Sequence, residues 1–440
     1  MDTLLDLPVR SLAAAIAAGE TTPLQVMRGF LDRVSAREKD LSAWAYIDED
    51  KALDSARRRD ASPPSRLKGI PVGVKDIIDT VDMPTSYGSA VYAGFQPAAD
   101  ASCVALARAA GAVVMGKTVT AEFALSSPGG TRNPVNHRHT PGGTSSGSAA
   151  AVAAGMVPLA LGSQTGGSVI RPAAYCGVVG YKPSFGLIDR CGTKPLAESI
   201  DTLGILARSV DDVIYFAESL MRRHLSSNGA ASKHLTVGLY GMEQWSDLSE
   251  AAYAALNDAV DAFRTVGVTL VEVPRFALHD ALVQAHQTIA HWEITAALAS
   301  EANLHLQRLR EQTRAYLEAP PPAFDDYETA MTVATKARAE LAMDFGQCDV
   351  FMAPAVPDEA PLGIAYAGDP IHCLMWTLLH APCLTLPVTR GPLGLPMGVQ
   401  LIGRIRDDAR LLEAGMLLEQ ALRHRQSMHP GLAPSMEVVR

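Results

Sequence analysis

The apolar positions of the first sixty residues recur at helical spacing, and the segment 1–60 is predicted to be helical. Thr22-Pro23-Leu24-Gln25 is a start signal, with Thr22 at the N-cap, Pro23 at the first helical position and Gln25 completing a capping box. Leu24, Met27, Phe30, Leu31 and Val34 then form one face. After Ser62-Pro63-Pro64 the texture changes. Residues 69–74 read as a buried strand, 102–110 as a helix stopped by Gly111, and 112–115 as a second strand. Strand–helix–strand is the unit of an α/β sheet.

Residues 126–180 are rich in Gly, Ser and Thr, with a helix predicted over 148–154 and a strand over 157–162. Such a stretch marks close backbone approach or a site. Ser209 caps a further helix, and 222–234 reads as a polar connection. Residues 248–345 are mostly helical, broken by a strand at 268–273 and by Pro320-Pro321-Pro322. Strands return at 350–353, 383–388 and 397–402, followed by a helix over 407–422. Strands towards both ends of the chain predict one sheet and one domain over 1–440. Residues 62–215 and 346–425 would form its sheet core, and 235–345 a mainly helical excursion beside the pocket.

Composition narrows the class. Of 440 residues, 48% are apolar and 19% charged, which excludes a disordered chain or a coiled coil. The net charge of −9, with no Lys/Arg block, argues against nucleic acid and anionic membrane as partners. The six cysteines are scattered without a CxxC pair, so reduced, buried thiols are expected. The N-terminus lacks a basic segment followed by an apolar core, and residues 149–161 fall short of the ~20 that a spanning helix needs. A cytoplasmic protein is expected.

Three segments carry candidate chemistry. Lys75, in Gly73-Val74-Lys75-Asp76, ends an apolar strand. It either points to solvent or lies partly buried, and burial penalises the charged amine and yields a general base. Gly142-Gly143-Thr144-Ser145-Ser146-Gly147-Ser148 reads as a flexible loop capping a helix, or as a source of catalytic hydroxyls. A phosphate cradle is disfavoured, because no Gly-Lys-Ser/Thr ending is present. Within this loop Gly143 to Gly147 also fits the GxSxG pattern, which would make Ser145 the nucleophile of a Ser-His-Asp hydrolase, but residues 137–141 before it make a poor strand. Thr165-Gly166-Gly167-Ser168 can turn its backbone N–H groups into one concavity suited to an oxyanion.

Taken together these segments resemble the amidase signature family. The resemblance extends through Gly69 to Asp76, Glu122-Phe123-Ala124, Asn133-Pro134, Pro141 to Gly155, Gly177 to Pro183 and Gly394 to Gln400, and covers roughly residues 20–425. It implies an α/β/α sandwich with a central mixed sheet. It further implies amide hydrolysis by a Ser–cis-Ser–Lys triad, with Lys75 as base, Ser168 as nucleophile and the backbone of Thr165, Gly166, Gly167 and Ser168 around the oxyanion. The bridging hydroxyl falls on Thr144, where the family has serine, 24 residues before Ser168. Two further departures are Gln164, where many members carry Asp, and Val169-Ile170-Arg171, where many carry Ile-Arg directly after the serine. Gly143, Ser145, Gln164 and Trp376 are the expected substrate-binding positions. The resemblance implies a small-molecule amide substrate, no metal or cofactor, and a homodimer. It also leaves open a multi-component assembly, either a glutamine-dependent tRNA amidotransferase or urea-type amide breakdown beside a small accessory chain. His137 and His139 read as a polar loop, having no third ligand at metal spacing.

Overall fold

A computed structural model of the chain describes residues 2–225, 235–242 and 244–428. Among these described residues eleven strands form one mixed sheet. In chain order they are β1 (Trp44–Ile47), β2 (Pro71–Lys75), β3 (Val113–Thr118), β4 (Leu159–Gln164), β5 (Val179–Lys182), β6 (Thr202–Ala207), β7 (Thr236–Tyr240), β8 (Thr269–Val273), β9 (Val350–Pro354), β10 (Cys383–Arg390) and β11 (Pro396–Gly403). Across the sheet the order is β1-β3-β2-β4-β6-β5-β10-β11-β9-β7-β8. β3, β2 and β4 run parallel to one another, as do β9, β7 and β8. The pairs between β4 and β9 are antiparallel. Every residue of β2, β3, β4, β5, β6, β9 and β11 is buried. That is the condition of strands covered on both faces, and it explains their continuous apolar runs. The architecture is the α/β/α sandwich.

The predicted capping box is present: Thr22 Oγ1 accepts from the Gln25 N–H at 3.1 Å and Gln25 Oε1 from the Thr22 N–H at 3.0 Å. The segment 1–60 is not wholly helical, however. β1 interrupts it and pairs antiparallel with the end of β3, Trp44 opposite Thr118 and Ile47 opposite Gly116. Four residues are too few to show a period of two, and tertiary pairing decides their state. β5, also four residues, escapes the sequence pattern for the same reason; β6 and β7 are not predicted either, and β7 and β8 join the excursion to the sheet edge. β3 runs three residues further than the apolar pattern, because Lys117 continues the strand while buried. The helix after the Gly-Ser loop is Ser146–Ala153. Of the predicted polar connection 222–234, residues 226–234 lie outside the described residues.

The Gly-Ser richness has a packing cause. A Cβ on Gly147 would lie 2.2 Å from the Ala43 carbonyl oxygen and 2.3 Å from the Val119 nitrogen. Only glycine lets helix Ser146–Ala153 press directly on the backbone beside β1 and β3. The Gly147 N–H donates to Val119 O at 3.0 Å, and Ser148 Oγ donates to Leu161 O at 2.9 Å.

Candidate active site

Lys75 ends β2, and the turn holding Ser168 follows its parallel neighbour β4. Val74 pairs with Leu161, so the carboxyl ends of both strands emerge side by side. The carboxyl edge of parallel strands is where α/β folds place ligands. The Gly-Ser loop closes over the same edge, where the Ser145 N–H donates to Ser168 O at 3.3 Å. The bond holds the backbones beside Thr144 and at Ser168 together. The Gly143–Thr144 peptide bond is cis.

Lys75 is fully buried. Its Nζ lies 2.8 Å from Thr144 Oγ1, 2.8 Å from Ser163 Oγ and 3.4 Å from Ser163 O. None of these is a carboxylate. Burial pushes the amine well below its ordinary value; the charge of Asp201 opposes this and that of Arg171 adds to it. The three oxygens accept from Nζ when it is charged. A neutral amine has two donors and one lone pair. In that form Ser163 Oγ and Ser163 O can take the two donors and the lone pair can accept from the Thr144 hydroxyl.

Arg171 is also buried, and it donates from Nε (3.2 Å) and Nη2 (2.7 Å) to Gly143 O and from Nη1 to Gly368 O at 2.5 Å. Asp201 accepts from Thr165 Oγ1 at 2.6 Å and from the N–H groups of Leu196 and Ala197 at 2.8 and 3.0 Å. Burial still leaves its carboxyl raised. The N–H groups of Gly166, Gly167 and Ser168 donate to nothing among the described residues, and Ser168 Oγ makes no hydrogen bond there.

A cavity of about 490 Å³ opens on this edge, lined by Ser163, Thr165, Asp201, Leu203, Lys194 and Arg190 among others. Gly143 and Thr144 face a separate recess of about 10 Å³ with Ala121, Ile364 and Ala367.

Lys75, Thr144 and the turn from Thr165 to Ser168 therefore come together, but three expected substrate-binding positions line neither of these two cavities. Gln164 Oε1 accepts from the N–H groups of Val169 (2.8 Å) and Ile170 (3.0 Å), while its Nε2 donates to Thr377 Oγ1 at 3.0 Å. It caps helix Ile170–Cys176 through its oxygen and spends one of its two Nε2 hydrogens on Thr377. Trp376 packs in an aromatic cluster, 4.9 Å from the Tyr240 ring and 6.2 Å from that of Phe351. Ser145 Oγ donates to Ser163 O at 3.2 Å and accepts from the Ser163 N–H at 3.3 Å. It binds β4, and no histidine among the described residues is bonded to it, as a Ser-His-Asp arrangement would need. Gly143 alone of the four lines a recess. His139 Nδ1 meets Ala360 O at 2.7 Å. Among the described residues no group of three or more His, Cys, Asp or Glu is placed to hold a metal ion.

Ser163, Asp201, His286 and Thr377 belong to the site without having been picked out from the sequence. Ser163 alone left a trace there, as a hydroxyl inside an otherwise apolar strand.

An amine stripped of water and set against hydroxyls, beside backbone donors with nothing to bind, is equipment for attack on an acyl carbon. The comparisons with known proteins give the class its family. The chain belongs to the Amidase family, whose model matches residues 25–412, and it is an enzyme acting on carbon–nitrogen bonds. It is similar to a glutamyl-tRNA(Gln) amidotransferase subunit from Anaeromyxobacter sp. (strain K), 32% identical over 478 residues and covering 95% of this chain and 97% of that one. Among solved structures it resembles the native peptide amidase of Stenotrophomonas maltophilia, with a TM-score of 0.80, 28% identity, and 95% and 97% of the two chains covered. It also resembles a chain of a vestigial protein complex described as revealing the evolutionary origins of an s-triazine catabolic enzyme. There the TM-score is 0.85, the identity 27%, and the coverage 94% and 98%. No helix among the described residues is long and apolar enough to cross a membrane.

Proposed function

We propose that the chain hydrolyses a small amide through an acyl-enzyme on Ser168. The observation that carries the reading is the fully buried Lys75 amine, 2.8 Å from the Thr144 hydroxyl. Thr144 passes its proton to Lys75 and takes that of Ser168, whose oxygen attacks the amide carbon. This requires the Ser168 side chain to turn onto Thr144 Oγ1 as substrate binds; catalytic hydrogen bonds commonly tighten at that stage. The free N–H groups of Gly166, Gly167 and Ser168 receive the oxyanion. The C–N bond then breaks, and the proton on Lys75 returns through Thr144 to the departing nitrogen. Water, deprotonated along the same relay, releases the acid. Side chains and backbone supply every step. The same reading has the enzyme working in the cytoplasm as a homodimer.

The test is a fluorophosphonate probe with the adduct mapped by mass spectrometry. Modification of Ser168, lost in Ser168→Ala while circular dichroism is unchanged, is expected; modification of Ser145 would refute the assignment.

A second reading has support in the 32% identity to a component of an amidotransferase. In that case the chain would release ammonia from glutamine inside a complex. Gel filtration of the isolated chain with a glutaminase assay separates the two. Ammonia from simple aliphatic or aryl amides without a partner supports the stand-alone enzyme.

A further inference from the structure

The turn after β4 is held by its carbonyls. In a peptide unit C=O and N–H point in opposite directions, so a bond that fixes one carbonyl also aims the next residue's N–H. His286 Nε2 donates to Thr165 O at 2.7 Å, and Thr377 Oγ1 donates to Gly166 O at 2.6 Å. The first bond sets the direction of the Gly166 N–H and the second that of the Gly167 N–H. Those are two of the three donors that bind nothing among the described residues.

Neither gripping residue lies in the Gly-Ser stretch. His286 is on helix His279–Ala297 of the excursion, and Thr377 is on helix Ile371–Leu378. The two glycines cannot anchor the turn themselves, since they have no side chains. The space for one is tight: a Cβ on Gly166 would sit 3.0 Å from Leu374 Cδ2, and one on Gly167 3.2 Å from Cys373 Cβ.

The protonation of His286 follows from its partner. A carbonyl only accepts, so Nε2 carries the hydrogen. Nδ1 is buried without a partner, and burial lowers the imidazole to about 4. A second proton would place an unpaired cation in an apolar site. The ring is therefore a fixed neutral donor, suited to holding a carbonyl in one orientation.

We infer that His286 is a positioning residue for amide hydrolysis, its Nε2–H bond to the Thr165 carbonyl aiming the Gly166 N–H at the oxyanion. The inference rests on the reading of Ser168 as nucleophile. It gives the excursion a part in the chemistry.

The experiment compares wild type, His286→Phe and His286→Gln in two reactions, fluorophosphonate modification of Ser168 and hydrolysis of p-nitrophenyl acetate. Phe keeps the ring and removes the donor; the Gln amide restores a donor near Nε2. Removing an oxyanion donor outright costs about 10²–10³ in rate, and misdirecting one should cost about 10–100-fold. His286→Phe is expected to lose that much in both the modification rate and kcat, with KM within about twofold. His286→Gln should recover most of it. Thr377→Val, which releases the neighbouring carbonyl, should give the same kcat-selective loss, and it serves as the test if His286→Phe does not fold. Equal modification rates in wild type and His286→Phe would overturn the inference, as would a Gln variant no faster than Phe. Failure of wild type to react at Ser168 would instead refute the nucleophile assignment.

Discussion

Replacing Lys75 by methionine should make the folded chain more stable at neutral pH while removing its activity. The amine is fully buried, and burial holds it well below its ordinary value. Unfolded, it titrates near 10.4. Between the lowered folded value and about 10.4 the folded chain binds fewer protons than the unfolded one, so stability rises with pH across that window. Each pH unit is worth about 1.4 kcal/mol, and an amine uncharged in the fold at pH 7 carries a penalty of roughly 4–5 kcal/mol. Methionine has similar length and no charge. It would strand the hydroxyls of Thr144 and Ser163, at about 1–2 kcal/mol each. The expected balance is a gain of roughly 2 kcal/mol at pH 7, disappearing near pH 8.5–9 and reversing above.

Two measurements check this without any knowledge of the substrate. Urea midpoints of wild type and Lys75→Met should converge and cross as pH rises from 6 to 10. A pH-stat at about pH 8.5 should record close to one more proton taken up on unfolding by wild type, the window placing that pH below the unfolded value. Lys117 and Lys182 are also buried, and burial lowers both, but they are common to the two proteins and cancel. A stability difference independent of pH, with equal proton uptake, would mean that Lys75 is charged in the fold. The proposed base would then not exist.

The fold was legible where a strand is a continuous apolar run bounded by turn residues. The runs that became β2, β4, β9, β10 and β11 are of that kind, and most of their residues are buried. Helix Pro23–Leu41 is announced by its own cap. β1 and β5 are four residues each, and their state is fixed by partners remote in sequence.

The same divide runs through the site. Lys75 is conspicuous as a lysine closing an apolar run, yet Lys117 and Lys182 carry that signature too. The three differ only in what surrounds them. Lys117 Nζ pairs with Asp76 at 3.0 Å. Lys182 Nζ meets two carbonyls, of Pro183 at 3.1 Å and Ala381 at 2.5 Å. Lys75 meets hydroxyls, and a hydroxyl, unlike a carbonyl, can hand a proton to a neutral amine. No local pattern encodes that difference. Nor could it encode His286 or Thr377, which reach the site from two distant helices. Gln164 and Trp376 show the converse: their places in the chain lie near the site, while their side chains bond a helix start and pack in an aromatic cluster.

Two substitutions extend the argument. Thr144→Ser keeps the hydroxyl and should retain activity within a few-fold, whereas Thr144→Val keeps the shape and should lose about 10²–10⁴ in kcat, measured as ammonia release or ester hydrolysis; equal rates in both would remove Thr144 from the relay. Lys117→Met is the same chemical change as Lys75→Met, in a neighbouring strand and at equal burial, but it leaves the Asp76 carboxylate buried without its cation. Ser86 still donates to that carboxylate from its N–H at 3.1 Å and its hydroxyl at 2.5 Å, so the site keeps two dipoles and loses the charge. Breaking a buried pair from one side costs about 3–5 kcal/mol, and a loss of that size in urea midpoint at pH 7 is expected. Because Lys75→Met should gain stability under the same conditions, the two variants must move in opposite directions. Shifts of the same sign would show that burial alone governs these lysines, and the distinction between a paired cation and a free base would fall.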